Sequence, residues 1–135
     1  MGQQQLLLII LGVIVVGIAV AVGITMFQDN AVSANRDAVT NDLVNLAARA
    51  QQYYRRPQAL GGGGNSFVGL TADDPGLYKL TSKKSNANGT YSIITAGTST
   101  QVVLQGVGVE KGTDGNPIKV QMHVFADSTY VNQLN

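Results

Sequence analysis

The first 28 residues of the chain carry no charged side chain, and this feature limits the possible folds more than any other. All seventeen charged residues lie at or after Asp29. Within the charge-free stretch, residues 6–27 read LLLIILGVIVVGIAVAVGITMF and are almost wholly apolar. Twenty-two helical residues at about 1.5 Å each span roughly 33 Å, close to the hydrocarbon thickness of a bilayer. Because only a helix satisfies its own backbone groups in lipid, this apolar segment (residues 6–27) is predicted to form a membrane-competent helix.

A cleaved secretory signal is the alternative interpretation of the same segment. Such a signal has a basic start, a shorter apolar core and a cleavage site between small residues. Here residues 1–5 contain no Lys or Arg, the apolar run is longer, and helix-forming sequence follows it without a break. These differences favour a helix that is retained in the mature protein.

After Phe27 the chain becomes amphipathic, and no Gly or Pro occurs before Pro57. Apolar residues recur at helical spacing on one face: Val32, Val39, Leu43, Leu46, Ala50 and Tyr53. Polar residues occupy the other faces: Asp29, Arg36, Asp42, Asn45, Arg49 and Gln52. Pro57 disfavours helical geometry at the residue before it, so residues 3–56 are predicted to form one helix of about 80 Å.

Three glycines, Gly12, Gly17 and Gly23, interrupt the apolar segment. Each weakens a helix interior by up to about 1 kcal/mol relative to Ala. They are interpreted either as points where neighbouring helices approach closely or as sites of local melting.

The remainder of the chain is predicted to be a small β-rich domain. A glycine-rich turn at residues 60–66 follows the helix and lacks the Lys-Ser/Thr ending of a phosphate-binding loop. Residues 67–90 are predicted to be a loop held to the core by Phe67, Val68, Leu70, Leu77, Tyr78 and Leu80. Strands are predicted at 91–95, 101–109 and 118–125, with a fourth if 128–131 pairs. The alternation is clearest in the third, where one side reads Ile118, Val120, Met122 and Val124.

The predicted fold is therefore α+β, a long N-terminal helix packed on a small antiparallel sheet. The apolar surface from Val32 to Tyr53 is the only large one left to cover that sheet. The chain divides into a hydrophobic membrane or filament-core half of the helix (1–27), an amphipathic half (28–57) and a head (58–135).

Composition excludes several kinds of function. There is no cysteine, hence no disulfide or thiolate site, and burial in an oligomer is an alternative source of stability. The net charge is +1 and the basic residues are dispersed, so no nucleic acid partner is expected.

No catalytic or cofactor site is expected either. His123, the only histidine, lies on the polar side of a strand and is interpreted as a surface or inter-subunit residue. Asp73, Asp74 and Asp114 lack the spacing of a calcium loop and are interpreted as turn residues. Asn88-Gly89-Thr90 matches the N-glycosylation acceptor pattern, which makes Asn88 a candidate modification site. The chain is thus predicted not to be an enzyme.

The order of these parts resembles a type IV pilin or pseudopilin over the whole chain, and archaeal-type pilins equally well. The resemblance implies processing after Gly2 by a prepilin-peptidase-type enzyme, with Gln3 as the first mature and methylated residue. Alternatively, Met1 is itself the mature N-terminus. The Glu that this family usually has at the fifth mature position is replaced by Leu7 or Gln5, and its C-terminal cysteines are absent.

The resemblance implies a structural subunit of an extracellular filament for adhesion, motility or secretion, stored in the cytoplasmic membrane before pilus assembly machinery recruits it. Its expected partner is further copies of itself. The expected filament core consists of Leu6, Leu7, Ile10, Leu11, Val15, Val16, Ile18, Val22 and Phe27. The alternative is a single-pass membrane protein whose small extracytoplasmic domain serves as an accessory or sensor subunit. A third interpretation, a secreted binding module, requires a mature N-terminus beyond Phe27.

Overall fold

A computed structural model of the chain describes residues 2–135, so the alternative mature N-terminus at Met1 lies outside the described residues. One helix, α1, runs from Gly2 to Arg55 and agrees with the predicted bounds of 3–56 to within one residue. Pro57 follows and leads into a single 3-10 turn at Gln58–Leu60. Proline therefore ends the helix as its ring geometry requires.

Four antiparallel strands form one sheet in the order β1-β2-β3-β4. They are β1 (Gly89–Thr95), β2 (Gln101–Lys111), β3 (Pro117–Phe125) and β4 (Thr129–Gln133). The three predicted strands are confirmed, and the conditional fourth strand is present. Each strand pairs with the next along the chain, so short turns are sufficient to connect them.

The amphipathic half of α1 packs against one face of this sheet, which confirms the α+β prediction. Val39, Leu43 and Ala50 are completely buried on the helix side. The four alternating residues of β3 are completely buried on the sheet side, as their period of two predicts: Ile118, Val120, Met122 and Val124. Val32 was predicted to belong to the same helical face but is only half-buried. It lies at the edge of the contact between α1 and the sheet, beside Val109 and Gly112 at the end of β2.

Two glycines in β2 allow the helix to lie close to the sheet. A Cβ atom at Gly106 would stand 2.6 Å from Cγ1 of Val39, and one at Gly108 would stand 2.2 Å from Oδ1 of Asn35. Real Cβ contacts are not this short, so any larger residue at either position would displace α1. These glycines therefore set the distance between the two layers.

The connection between α1 and β1 is more ordered than the predicted loop. It contains a one-turn helix, α2 (Asp74–Leu77), which Asp73 caps by accepting a hydrogen bond of 2.9 Å from the Gly76 N–H. Four of the predicted anchors are buried: Phe67, Leu70, Leu77 and Leu80.

The other two predicted anchors of this connection were wrong. The side chain of Val68 is 60 % exposed. This residue is fixed by its main chain instead, because its carbonyl accepts a 3.0 Å hydrogen bond from the Tyr53 hydroxyl. Tyr78 is 50 % exposed because α2 already turns the preceding Leu77 toward the core. Neighbouring positions on a helix point about 100° apart.

Candidate functional site

The apolar segment is exposed along its whole length. Its large side chains are between 52 and 78 % exposed. An 18-residue window of α1 has a mean hydropathy of 3.2, and none of that window is buried by the rest of the chain. By length and composition this helix is able to cross a membrane. Whatever covers the segment must therefore come from outside this chain.

The nine predicted filament-core residues all belong to this exposed surface: Leu6, Leu7, Ile10, Leu11, Val15, Val16, Ile18, Val22 and Phe27. At about 100° per residue they point to all sides of the helix and not to one face. Within residues 2–135 the fold brings none of them against another part of the chain. A helix that is apolar on every side is suited to complete enclosure by lipid or by other helices.

The helix is regular through the three glycines of the segment. A Cβ atom at Gly12, Gly17 or Gly23 would meet nothing within 4 Å, so these positions have no packing role within one chain. The hydroxyl of Thr25 donates a 3.1 Å hydrogen bond to the carbonyl of Ala21. This is the one hydroxyl in residues 6–27, and its hydrogen bond is made within the helix. An apolar environment requires this, because it offers no water to bind the group.

The predicted processing pair lies at the first two positions of α1. Gly2 is the first residue of α1, Gln3 is the second, and both are exposed. Neither residue contributes to the fold of the head.

Asn35 marks the point where α1 first joins the sheet. Its amide nitrogen donates to the carbonyl of Asn88 at 2.8 Å, and its Oδ1 accepts from the N–H groups of Val109 at 3.0 Å and Glu110 at 3.2 Å. The side chain is 9 % exposed. Sequence reasoning missed it, although a position four residues before Val39 falls on the buried face of a helix. These three hydrogen bonds fix the helix to both strands at one end of the β1–β2 pair, where Gly89 lies opposite Gly108.

A polar cluster (Asp42, Asn86, Asn88 and Tyr91) joins the helix to the loop before β1. The Asp42 carboxylate accepts hydrogen bonds from the Asn86 amide at 3.0 Å, the Asn88 amide at 2.9 Å and the Tyr91 hydroxyl. Asp42 was predicted to lie on a polar face of the helix, and it is instead half-buried under this loop.

The cluster changes the acidity of both its titratable members. Burial acts to raise the pKa of Asp42, but the three hydrogen bonds together outweigh burial and the pKa lies below its usual 3.8. Burial first, and then the bond to Asp42, raises the pKa of Tyr91 above its usual range. At neutral pH the pair is therefore a phenol donating to a carboxylate.

The candidate glycosylation residue belongs to the same cluster. Nδ2 of Asn88 is the nitrogen to which a glycan would be attached, and it is the nitrogen that donates to Asp42. A glycan there would remove one hydrogen of that amide and would have to share the space beside α1.

The other candidate residues hold turns or lie on the sheet surface. Asp73 caps α2, Asp74 forms an ion pair of 3.0 Å with Lys84, and Asp114 accepts from the N–H of Asn116 at 3.0 Å. The ring of His123 lies 5.7 Å from that of Tyr130 across β3 and β4. Among residues 2–135 no group of three or more His, Asp or Glu side chains is placed to hold a metal ion.

No family model, no curated protein and no solved structure matches this chain. Its function is therefore inferred from the physical properties of the exposed helix and of the head that the helix carries.

Proposed function

We propose that the chain is the structural subunit of an extracellular filament of the type IV pilin kind, built by packing the apolar segments of many copies. One observation carries this proposal. The segment that nothing in the chain covers is continuous with the helix that forms the core of the head. The head is therefore attached, through one continuous helix, to an apolar surface that lipid or other copies of the chain must cover.

Exposure of the apolar segment to water carries a large unfavourable free energy. About 2,000 Å² of apolar surface at roughly 25 cal/mol per Å² corresponds to tens of kcal/mol. Lipid removes this surface from water before assembly, and the helices of other copies remove it in the filament. Because each copy offers the same helix, head-to-tail contacts that do not close generate a helical polymer.

The absence of charge in the first 28 residues indicates how such a filament is held together. No carboxylate in this region is available to pair with the terminal amine of a neighbour. The filament core therefore depends on apolar packing, and the regular α1 offers that packing along its length. Processing after Gly2, N-terminal methylation and recruitment by assembly machinery belong to this proposal.

Electron microscopy of sheared cell surfaces tests the proposal. Filaments should appear in negative stain and should bind an antibody raised against residues 58–135 along their whole length. A chain recovered only from the membrane fraction, with no labelled filaments, would contradict the proposal. N-terminal sequencing of the filament subunit distinguishes a mature start at Met1 from one at Gln3.

The second candidate function is a single-pass membrane protein with an accessory or sensor domain. The observation that favours it is the match between the apolar segment, about 33 Å long, and the bilayer, with Gln28 and Asp29 directly after it. The same shearing experiment separates the two functions, because this candidate keeps all of the protein in the membrane. A mature N-terminus beyond Phe27 would exclude both.

A further inference from the structure

A cleft opens between the C-terminal end of α1 and the connection that leads to β1. Its volume is about 220 Å³, and three cationic side chains line it: Arg49, Arg56 and Lys79. We call it the basic cleft. Within residues 2–135 no carboxylate lines it, since its other lining residues are Gln52, Tyr53, Gly61 and Leu80. A cleft lined by charges of one sign attracts ions of the opposite sign.

The three cations reach the basic cleft from two parts of the chain. Arg49 and Arg56 are seven residues apart, close to two turns, so they lie on one side of the helix about 10 Å apart along its axis. Arg56 continues the helical pattern just beyond α1, because its N–H donates to the carbonyl of Gln52 at 3.0 Å. Lys79 belongs to the connection, shortly after α2. No ion pair within residues 2–135 involves any of the three, so their mutual repulsion favours a bound anion.

Main-chain carbonyls hold two of these cations in position. The Arg49 guanidinium donates to the carbonyl of Leu80 at 3.1 Å, and the Lys79 ammonium donates to that of Gly69 at 2.6 Å. Each group keeps further N–H donors, because a guanidinium has five and an ammonium three. Arg56 is exposed and can approach a ligand from the helix side. The basic cleft therefore offers prepositioned hydrogen-bond donors together with positive charge.

The main-chain carbonyls at the end of α1 are already engaged. Free carbonyls at a helix C-terminus carry partial negative charge and would repel an anion. Here the glycine-rich turn supplies donors to three of them: Gly63 to Tyr53 at 2.8 Å, Asn65 to Tyr54 at 2.7 Å and Gly64 to Arg56 at 2.9 Å. The turn thus reduces this repulsion beside the basic cleft.

The carboxylates of Asp73 and Asp42 lie outside the basic cleft and already have hydrogen-bond donors. The pKa of Asp73 is lowered first by a hydrogen bond from Thr71 and only in smaller part by the charge of Lys79. Asp42 lines an adjacent cleft beside Lys83, and it accepts three hydrogen bonds from the polar cluster. Neither carboxylate takes the place of an anion in the basic cleft.

We propose that the basic cleft binds a phosphate group, either as the free ion or as a phosphate monoester. A phosphate monoester carries a charge of about −1.5 to −2 at pH 7 and three acceptor oxygens. The planar guanidinium groups of Arg49 and Arg56 match pairs of those oxygens, and Lys79 adds a compact charge. A carboxylate, with a single charge, would leave two of the three cations without a counter-charge. The site belongs to the head, so a filament subunit and a single-pass membrane protein would both carry it.

The position of the basic cleft argues against lipid of the chain's own membrane as the source of the phosphate. Arg49 lies 22 residues beyond Phe27, the last residue of the apolar segment, which is about 33 Å along the helix. The head-group region on each side of a bilayer is only about 5–8 Å thick. With α1 standing across the membrane, the cleft therefore faces the surrounding medium.

Equilibrium dialysis of the full chain in non-ionic detergent tests the site with inorganic phosphate and glycerol 3-phosphate. Low ionic strength is needed, because salt screens exposed charges. R56Q/K79Q should weaken phosphate binding about four- to 25-fold, from two- to fivefold for each exposed charge. The matched control K111Q/K119Q removes the same charge from exposed positions elsewhere on the head and should bind within about twofold of the wild type. Equal losses in both variants, or no binding by the wild type, would overturn the proposal.

Acetate and pH test the need for a doubly charged ligand. Acetate should bind at least about fivefold more weakly than phosphate near neutral pH, and equal affinities would overturn the proposal. Phosphate should bind more weakly as the pH falls below about 6, where it loses a charge while Arg and Lys keep theirs. Tighter binding of glycerol 3-phosphate would identify a phosphorylated molecule as the source, and tighter binding of inorganic phosphate the free ion.

Circular dichroism of each variant without ligand shows whether the head is folded. If R56Q/K79Q is not, R56Q alone decides the matter, because the Arg56 side chain has no ion pair within the described residues. It should weaken phosphate binding about two- to fivefold, and unchanged binding would overturn the proposal. Absence of filaments would contradict the proposed function and leave this site standing.

Discussion

Replacing Val15 with Asp should separate membrane insertion from filament assembly. Val15 lies near the middle of the apolar segment and is 55 % exposed. Fifteen of the 22 residues in that segment are Leu, Ile, Val or Phe, and each favours insertion by about 0.3–0.6 kcal/mol at a helix centre. The sum is on the order of 5 kcal/mol, whereas one Asp costs about 2.5–3.5 kcal/mol. The variant should therefore still insert.

Assembly should respond differently to the same change. A lone helix in lipid can shift and let the carboxylate reach water or head groups, which keeps the cost of insertion low. In a filament core the position is fixed, and every neighbour brings the same unpaired charge. Uncompensated burial of a charge costs about 3–5 kcal/mol, and every 1.4 kcal/mol corresponds to a factor of ten. The association constant of the variant should fall by at least about a hundredfold.

Quantitative immunoblots of the membrane and sheared fractions measure both quantities in one experiment. We expect membrane levels of Val15→Asp within about twofold of the wild type and no detectable filaments. Val15→Leu, which keeps the position apolar, should assemble normally. Wild-type amounts of filament from Val15→Asp would refute the idea that residue 15 is enclosed by neighbouring helices.

Three further predictions concern the head. A fragment of residues 29–135 should be folded and monomeric, because residues 2–30 are all exposed and pack against nothing in the head. Circular dichroism and analytical ultracentrifugation measure these two properties. Aggregation or loss of structure would show that the removed residues contribute to the fold of the head. In this fragment Gly106→Ala should cost about 1–3 kcal/mol by overpacking against Val39 and should lower Tm, while an unchanged Tm would mean that the layers can separate freely. Asp42→Asn should cost about 1–3 kcal/mol at neutral pH. Because the folded pKa of Asp42 is lowered, this loss should shrink as the pH falls below about 3.8, and a loss independent of pH would refute the role of the charge.

The long helix and the strands were readable from periodicity, whereas α2 (Asp74–Leu77) is a single turn and too short to repeat a pattern. The helical spacing from Val39 to Tyr53 and the strict alternation of Ile118 to Val124 are both confirmed by complete or near-complete burial. Helix termination at Pro57 followed from the geometry of one residue. The apolar segment was equally predictable, because its composition alone is sufficient to identify it.

The contacts that position the head on the helix were not readable in the same way. Asp42 meets partners 44 to 49 residues further along the chain, and no local pattern connects a carboxylate to such distant amides. Whether a loop side chain points inward also depends on tertiary contacts. The exposed Val68 illustrates this, because its apolar character suggested burial and the main-chain bond to Tyr53 decides its orientation.

The way in which the head is mounted has a mechanical consequence. The sheet packs against the side of α1 between Asn35 and Tyr53, and the helix continues without interruption toward its N-terminus. In the proposed filament, a pull along the helix axis would therefore be carried by the helix backbone and by the neighbouring copies, whereas the four strands would carry little of the load. Tension tends to slide the sheet along the helix and does not peel its strands apart one at a time. A fibre of such parts would resist extension while its surface domains stay folded.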